Sequence, residues 1–66
     1  MTNTLSRREK QILRLIASGL SNKEISHRLS ISESTVENHI HNLYKKLNIS
    51  KRAQAIIYAL KEGIGS

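Results

Sequence analysis

Three polar side chains sit close together in the middle of the chain, Glu37, Asn38 and His41. Their chemistry is that of base-edge readers: Asn can pair with two edge atoms of adenine, Glu can accept from cytosine, and His carries both a donor and an acceptor. Asn38 and His41 are three residues apart, so a helix would bring them to one face. A catalytic reading of the chain has less to stand on. Ser, Thr and His occur, but no glycine-rich phosphate loop and no nucleophile–base–orienter set is visible. A metal reading fails on angle, because His39 and His41 are two apart and splay by about 200° on a helix. His27 is a lone surface candidate. No cofactor and no metal are expected.

The composition says what such side chains would meet. The 66 residues hold 11 Lys and Arg against 5 Asp and Glu, a formal charge of +6. That balance favours polyanions, nucleic acid first and an anionic membrane second. Single-strand readers stack bases on aromatic rings, and Tyr44 and Tyr58 are the only aromatics here. Double-stranded DNA is therefore the better partner. Cysteine is absent, which excludes disulfides and thiolate metal sites and fits a cytoplasmic setting. No apolar run approaches the roughly 20 residues of a membrane span, and Met1-Thr2-Asn3-Thr4 lacks a signal-peptide layout. The length allows a single domain, residues 1–66 with a core from 5 to 64.

Positioning these groups requires helices. Apolar residues recur at helical spacing, not in alternation, and proline is absent. An all-α fold of four helices is expected, over about 7–18, 22–29, 33–47 and 51–62. Ser6-Arg7-Arg8-Glu9 and Ser21-Asn22-Lys23-Glu24 are capping boxes for the first two, and Gly19 suits a left-handed stop. Ser32 precedes the third helix, whose Val36, Ile40, Leu43 and Leu47 form an inward stripe. Ser34, Asn38, His41 and Lys45 fall opposite, with Glu37 on the flank. The fourth helix should start after Ser50 and pack Ala53, Ile56, Ile57 and Leu60 inward, leaving Ala55, Tyr58 and Ala59 as surplus apolar surface.

The segment from Asn22 to Leu47 has the helix-turn-helix plan: a short helix, a turn near Ser30-Ile31-Ser32, and a longer helix. Ser26 supplies the small residue where the helices cross, and Ile31 anchors the turn. The second helix then offers Glu37, Asn38 and His41 near its N-terminus, where bases are read. Lys45 and Lys46, at its far end, read alone as solvated charges that favour a helix C-terminus; in a helix-turn-helix, phosphate contact by at least one of them is the better reading.

The chain resembles the LuxR-type (GerE-type) helix-turn-helix domains of bacterial transcription regulators. The likeness rests on four successive motifs: Leu5-Ser6-Arg7-Arg8-Glu9; Gly19-Leu20-Ser21-Asn22-Lys23-Glu24-Ile25; Ile31 to Ile40; and Lys46-Leu47-Asn48-Ile49. It implies sequence-specific binding of duplex DNA, with helix 33–47 in the major groove. It also implies roles residue by residue. Thr35 and Val36 match positions where a hydroxyl and backbone amides meet phosphate. Glu37, Asn38 and His41 match the variable base-reading positions. Lys46 matches the basic residue that contacts the DNA backbone at the helix end, and Asn22 and Lys23 match the phosphate-facing start of the scaffold helix. Members of the family usually pair through the fourth helix, which implies a homodimer seam with Ala55 and Tyr58 at its centre. Most carry the domain behind a receiver, as in a response regulator, or behind a ligand-binding domain.

Blander readings stand beside these. Arg7, Arg8, Lys10 and Arg14 form a basic first helix that reads best as a solvated face adding long-range attraction. The apolar fourth helix could instead dock on a partner such as a subunit of RNA polymerase. A membrane-surface role needs a broad exposed apolar face, whereas these stripes are needed for a core.

Overall fold

The computed structural model describes residues 5–64. The polar start Met1 to Thr4, and Gly65 and Ser66, lie outside the described residues. Four helices follow in order: α1 (Arg7–Ala17), α2 (Asn22–Leu29), α3 (Glu33–Leu47) and α4 (Arg52–Lys61). No strand occurs among the described residues, and the all-α architecture stands.

Local chemistry starts three of the helices. The Ser6 hydroxyl accepts the Glu9 amide at 3.1 Å and the Glu9 carboxylate accepts the Ser6 amide at 2.8 Å. Ser21 and Glu24 repeat the exchange for α2, at 3.2 and 2.7 Å. Ser32 caps α3 by accepting the Thr35 amide at 3.0 Å. Each pair satisfies backbone donors that the first helical turn leaves open. At α4 the cap comes from inside the helix. Gln54 Oε1 accepts the amides of both Ser50 and Lys51, each at 2.9 Å, and Lys51, not Ser50, is the boundary residue.

All four helices end in the same way. A left-handed residue closes each one: Gly19 (φ 93°), Ser30 (φ 58°), Asn48 (φ 57°) and Gly63 (φ 70°). The residue after it donates its amide back to the last turn: Leu20 to Leu15, Ile31 to Ser26, Ile49 to Tyr44 and Ile64 to Ala59, at 2.8 to 3.2 Å. Those four donors are all apolar, and all pack against the core. The bond satisfies an orphan carbonyl while the side chain folds the departing chain inward. Ile31 does this in the turn between α2 and α3.

The core is Ile12, Leu13 and Ile16 of α1, Ile25 of α2, Val36, Ile40 and Leu43 of α3, and Ala55 and Ala59 of α4. Leu47 is half-buried and packs against it. α1 is the hub, with α3 and α4 packed on it, and α2 rests mainly on α3. Ser26 is buried where a small residue was expected, and its hydroxyl donates to the Lys23 carbonyl at 2.7 Å.

The fourth helix corrects the sequence reading. Ala55 and Ala59 face inward and are wholly buried, while Ile57 and Leu60 are 54% and 65% exposed. Ala53 is exposed as well, and Tyr58 and Ile56 lie half-buried on the flanks. Two alanines four apart let the α4 backbone approach α1 closely, and the larger side chains rotate outward. Ala55 therefore cannot sit at the centre of an intermolecular seam.

Candidate nucleic-acid interface

Burial of Val36, Ile40 and Leu43 turns α3 so that its opposite side is bare. Val36 and Leu43 are 0% exposed and Ile40 is 8%. Glu37, Asn38, His41 and Lys45 are all exposed, together with Ser34 and Asn42. Asn42 follows His41 on the same open side and belongs with the base-reading candidates. Its place on the helical wheel was available from sequence. Fifteen residues of α3 at ~1.5 Å each make a rod about 22 Å long, enough to lie along a major groove.

The flanks hold the candidate phosphate contacts, and they are not equivalent. Lys23 and Lys45 are exposed. Thr35 is half-buried, with its hydroxyl 2.9 Å from that of Ser32. Asn22 is half-buried, and its Oδ1 accepts from Arg52 at 2.9 Å. Val36 offers nothing outward: its side chain is buried and its amide donates to the Ser32 carbonyl at 3.1 Å. The helix that carries Val36 has spent that amide internally, so it has none to offer a phosphate.

Lys46 is tied to α1. Its ammonium donates to Glu9 Oε1 at 2.8 Å, with the lysine side chain 43% exposed and the glutamate side chain only 7%. Burial by itself raises the Glu9 pKa. The hydrogen bonds from Lys46 and from the Ser6 amide, with the charge of Lys46, outweigh it and hold the carboxyl below its ordinary value. A buried carboxylate thus joins the start of α1 to the end of α3, and part of the lysine still faces solvent. Glu9 and Arg52 were both missed by sequence reasoning as parts of this surface, because their partners lie 37 and 30 residues away.

Charge is distributed unevenly. Lys45 and Lys46 are the only Lys or Arg residues of α3, which also carries Glu33 and Glu37. Most of the positive charge lies on the other helices, with Arg7, Lys10, Arg14, Lys23 and Arg28 all exposed. The long-range pull toward a polyanion thus comes from the scaffold, and the central strip of α3 is left mainly polar. Among the described residues no three His, Cys, Asp or Glu side chains gather to hold a metal ion. Nor is any helix among them long and apolar enough to cross a membrane.

A family model described as bacterial regulatory proteins, luxR family, matches residues 3–59. The chain belongs to the luxR family. It is 45% identical over 62 residues to the nitrate/nitrite response regulator protein NarL of Escherichia coli (strain K12), covering 94% of this chain and 29% of that protein. It is 44% identical over 59 residues to the transcriptional regulatory protein DegU of Brevibacillus brevis, covering 89% of this chain and 25% of that one. The luxR-family chain thus spans little more than a quarter of those relatives. Among solved structures it superposes on the transcription factor GerE with a TM-score of 0.79 and 47% identity, covering 91% of this chain and 90% of GerE. The response regulator ChrA of a heme-sensing two-component system gives 0.86 and 38%, covering 97% of this chain and 32% of ChrA. The four helices are therefore a LuxR-type helix-turn-helix domain, the class found in transcription regulators.

Proposed function

We propose that this luxR-family domain binds duplex DNA sequence-specifically as the DNA-reading part of a bacterial transcription regulator, with α3 in the major groove. One observation carries the reading: α3 buries Val36, Ile40 and Leu43 and leaves Glu37, Asn38 and His41 bare on its other side. Backbone contacts set register and base contacts set preference. Lys23, Asn22, Thr35, Lys45 and Lys46 take phosphates on the flanks, and Glu37, Asn38 and His41, joined by Asn42, read base edges. No catalytic step belongs to this function. Cytoplasmic DNA is its target.

Pairing of two copies extends the reading. The outward Ala53, Ile57 and Leu60 of α4 form the apolar strip, with Tyr58 at its edge. So short a strip gives a small interface and weak self-association off DNA. Two copies on neighbouring half-sites about one helical turn apart would meet on one face of the duplex. RNA polymerase is the rival occupant of the same strip.

The test is the salt dependence of binding to duplex DNA. Neutralising about three phosphates, one for each lysine named, gives a log–log slope near −2.7 per copy. A flat response, with no binding even at low salt, would contradict the DNA reading and favour a protein-docking module.

A further inference from the structure

Asn22 and Arg52 stand 30 residues apart in sequence and meet at the start of α2. The Arg52 guanidinium donates through Nη1 to Asn22 Oδ1 at 2.9 Å and through Nη2 to the Leu20 carbonyl at 2.6 Å. Arg52 is half-buried and is the first residue of α4, whereas α2 and α4 share no extensive packing face. This fork is thus a specific tie between two elements that otherwise barely touch.

The chemistry of the two groups gives the tie a direction. A guanidinium has only donors, so the atom of Asn22 it faces must be the carbonyl oxygen and never the amide nitrogen. The other end of the Asn22 side chain is then the NH2 group, which makes no hydrogen bond among the described residues, on a residue that is partly exposed. A phosphate has only acceptors to offer. An asparagine free to turn over would present the wrong end to it half the time and would lose rotamer freedom on binding. One held by Arg52 presents donors before the phosphate arrives.

The geometry points to Arg52 as a positioning residue for DNA binding: it orients Asn22 so that the side-chain amide donates to a backbone phosphate. This rests on the DNA reading above and adds to it a residue that touches no DNA in this scheme. Because Asn22 meets the backbone and no base, the effect is the same on every sequence. Lysine cannot reproduce the fork even though it keeps the charge.

The experiment measures affinity of the 66-residue chain for a random-sequence duplex at low salt, in a double-mutant cycle of Arg52→Lys and Asn22→Ala. Binding is read well below each variant's melting temperature, with helicity checked by circular dichroism. Arg52→Lys is expected to weaken binding about threefold to fivefold, and Asn22→Ala to weaken it by at least as much. The pair together binds no more weakly than Asn22→Ala alone. Thermal stability behaves differently, because Arg52→Lys also loosens the Leu20 carbonyl and lowers the melting temperature in both backgrounds. Arg52→Gln carries the same cycle if lysine prevents folding. Unchanged affinity in Arg52→Lys overturns the inference, as does an equal loss with and without Asn22. Absence of binding by the wild-type chain overturns the DNA reading itself, and this inference with it.

Discussion

Glu9 accepts the Ser6 amide and the Lys46 ammonium on one oxygen, so it caps α1 and ties down the end of α3 together. Its pKa is lowered in the folded chain. A lowered carboxyl stabilises the fold above its unfolded value of about 4.3, and that contribution is lost as pH falls through the folded value. Melting temperature should therefore hold above about pH 5 and fall in the acid range. Glu9→Gln can keep the cap but not the charge, so it should melt lower at pH 7 and lose less on acidification. Parallel pH curves for the two proteins would contradict this. The capping residues were legible in sequence because a cap spans four positions and needs only a serine and a glutamate in order. The ion pair and the Arg52 fork were not, since nothing local marks which cation reaches which acceptor across 30 or more residues. Val36 shows the converse. Its place in the motif suggested an amide for phosphate, whereas the helical ladder that the same motif builds had already used that amide.

At the scale of the element, helix ends and helix faces were unequally readable. Gly19 reads as a stop, and the structure gives it φ 93° with open space where a side chain would go. Gly19→Ala should therefore destabilise through backbone strain alone, by about 1–2 kcal/mol in urea unfolding. A neutral result would mean the turn can rearrange at no cost. Ser30 and Asn48 do the same job without being glycine, so their sequence signal is weaker. The inward face of α3 was legible because its apolar and polar residues separate cleanly. The face of α4 was not, since apolar residues run around most of the helix and side-chain size decides the outcome. Alanines go to the close contact with α1, and Ile57 and Leu60 are left outside. Leu60→Asp should accordingly leave the unfolding free energy within about 1 kcal/mol of wild type and abolish cooperative occupancy of paired half-sites. Urea unfolding measures the first, and gel shifts on one-site and two-site duplexes measure the second. Full cooperativity in the variant would move the seam elsewhere.

For the whole molecule, the proposed function divides the work between the scaffold and the bare side of α3. Exposed cations on α1 and α2 supply attraction at a distance, and α3 supplies a mainly polar surface with few charges. That division makes general affinity and sequence preference separable by mutation. Membership of the family was readable from four ordered motifs, because each motif is a cap, a stop or a packing position that the fold needs locally. The operator is not readable, since base preference depends on how a few outward side chains meet a groove. Selection of bound duplexes from a random pool tests the central claim most directly, done in parallel with wild type and with an Asn38→Ala, His41→Ala double variant. Wild type should enrich a defined motif, and the variant should lose that preference while keeping the salt slope and about the same affinity for random duplex. The same motif enriched by both proteins would show that bases are read by some other surface.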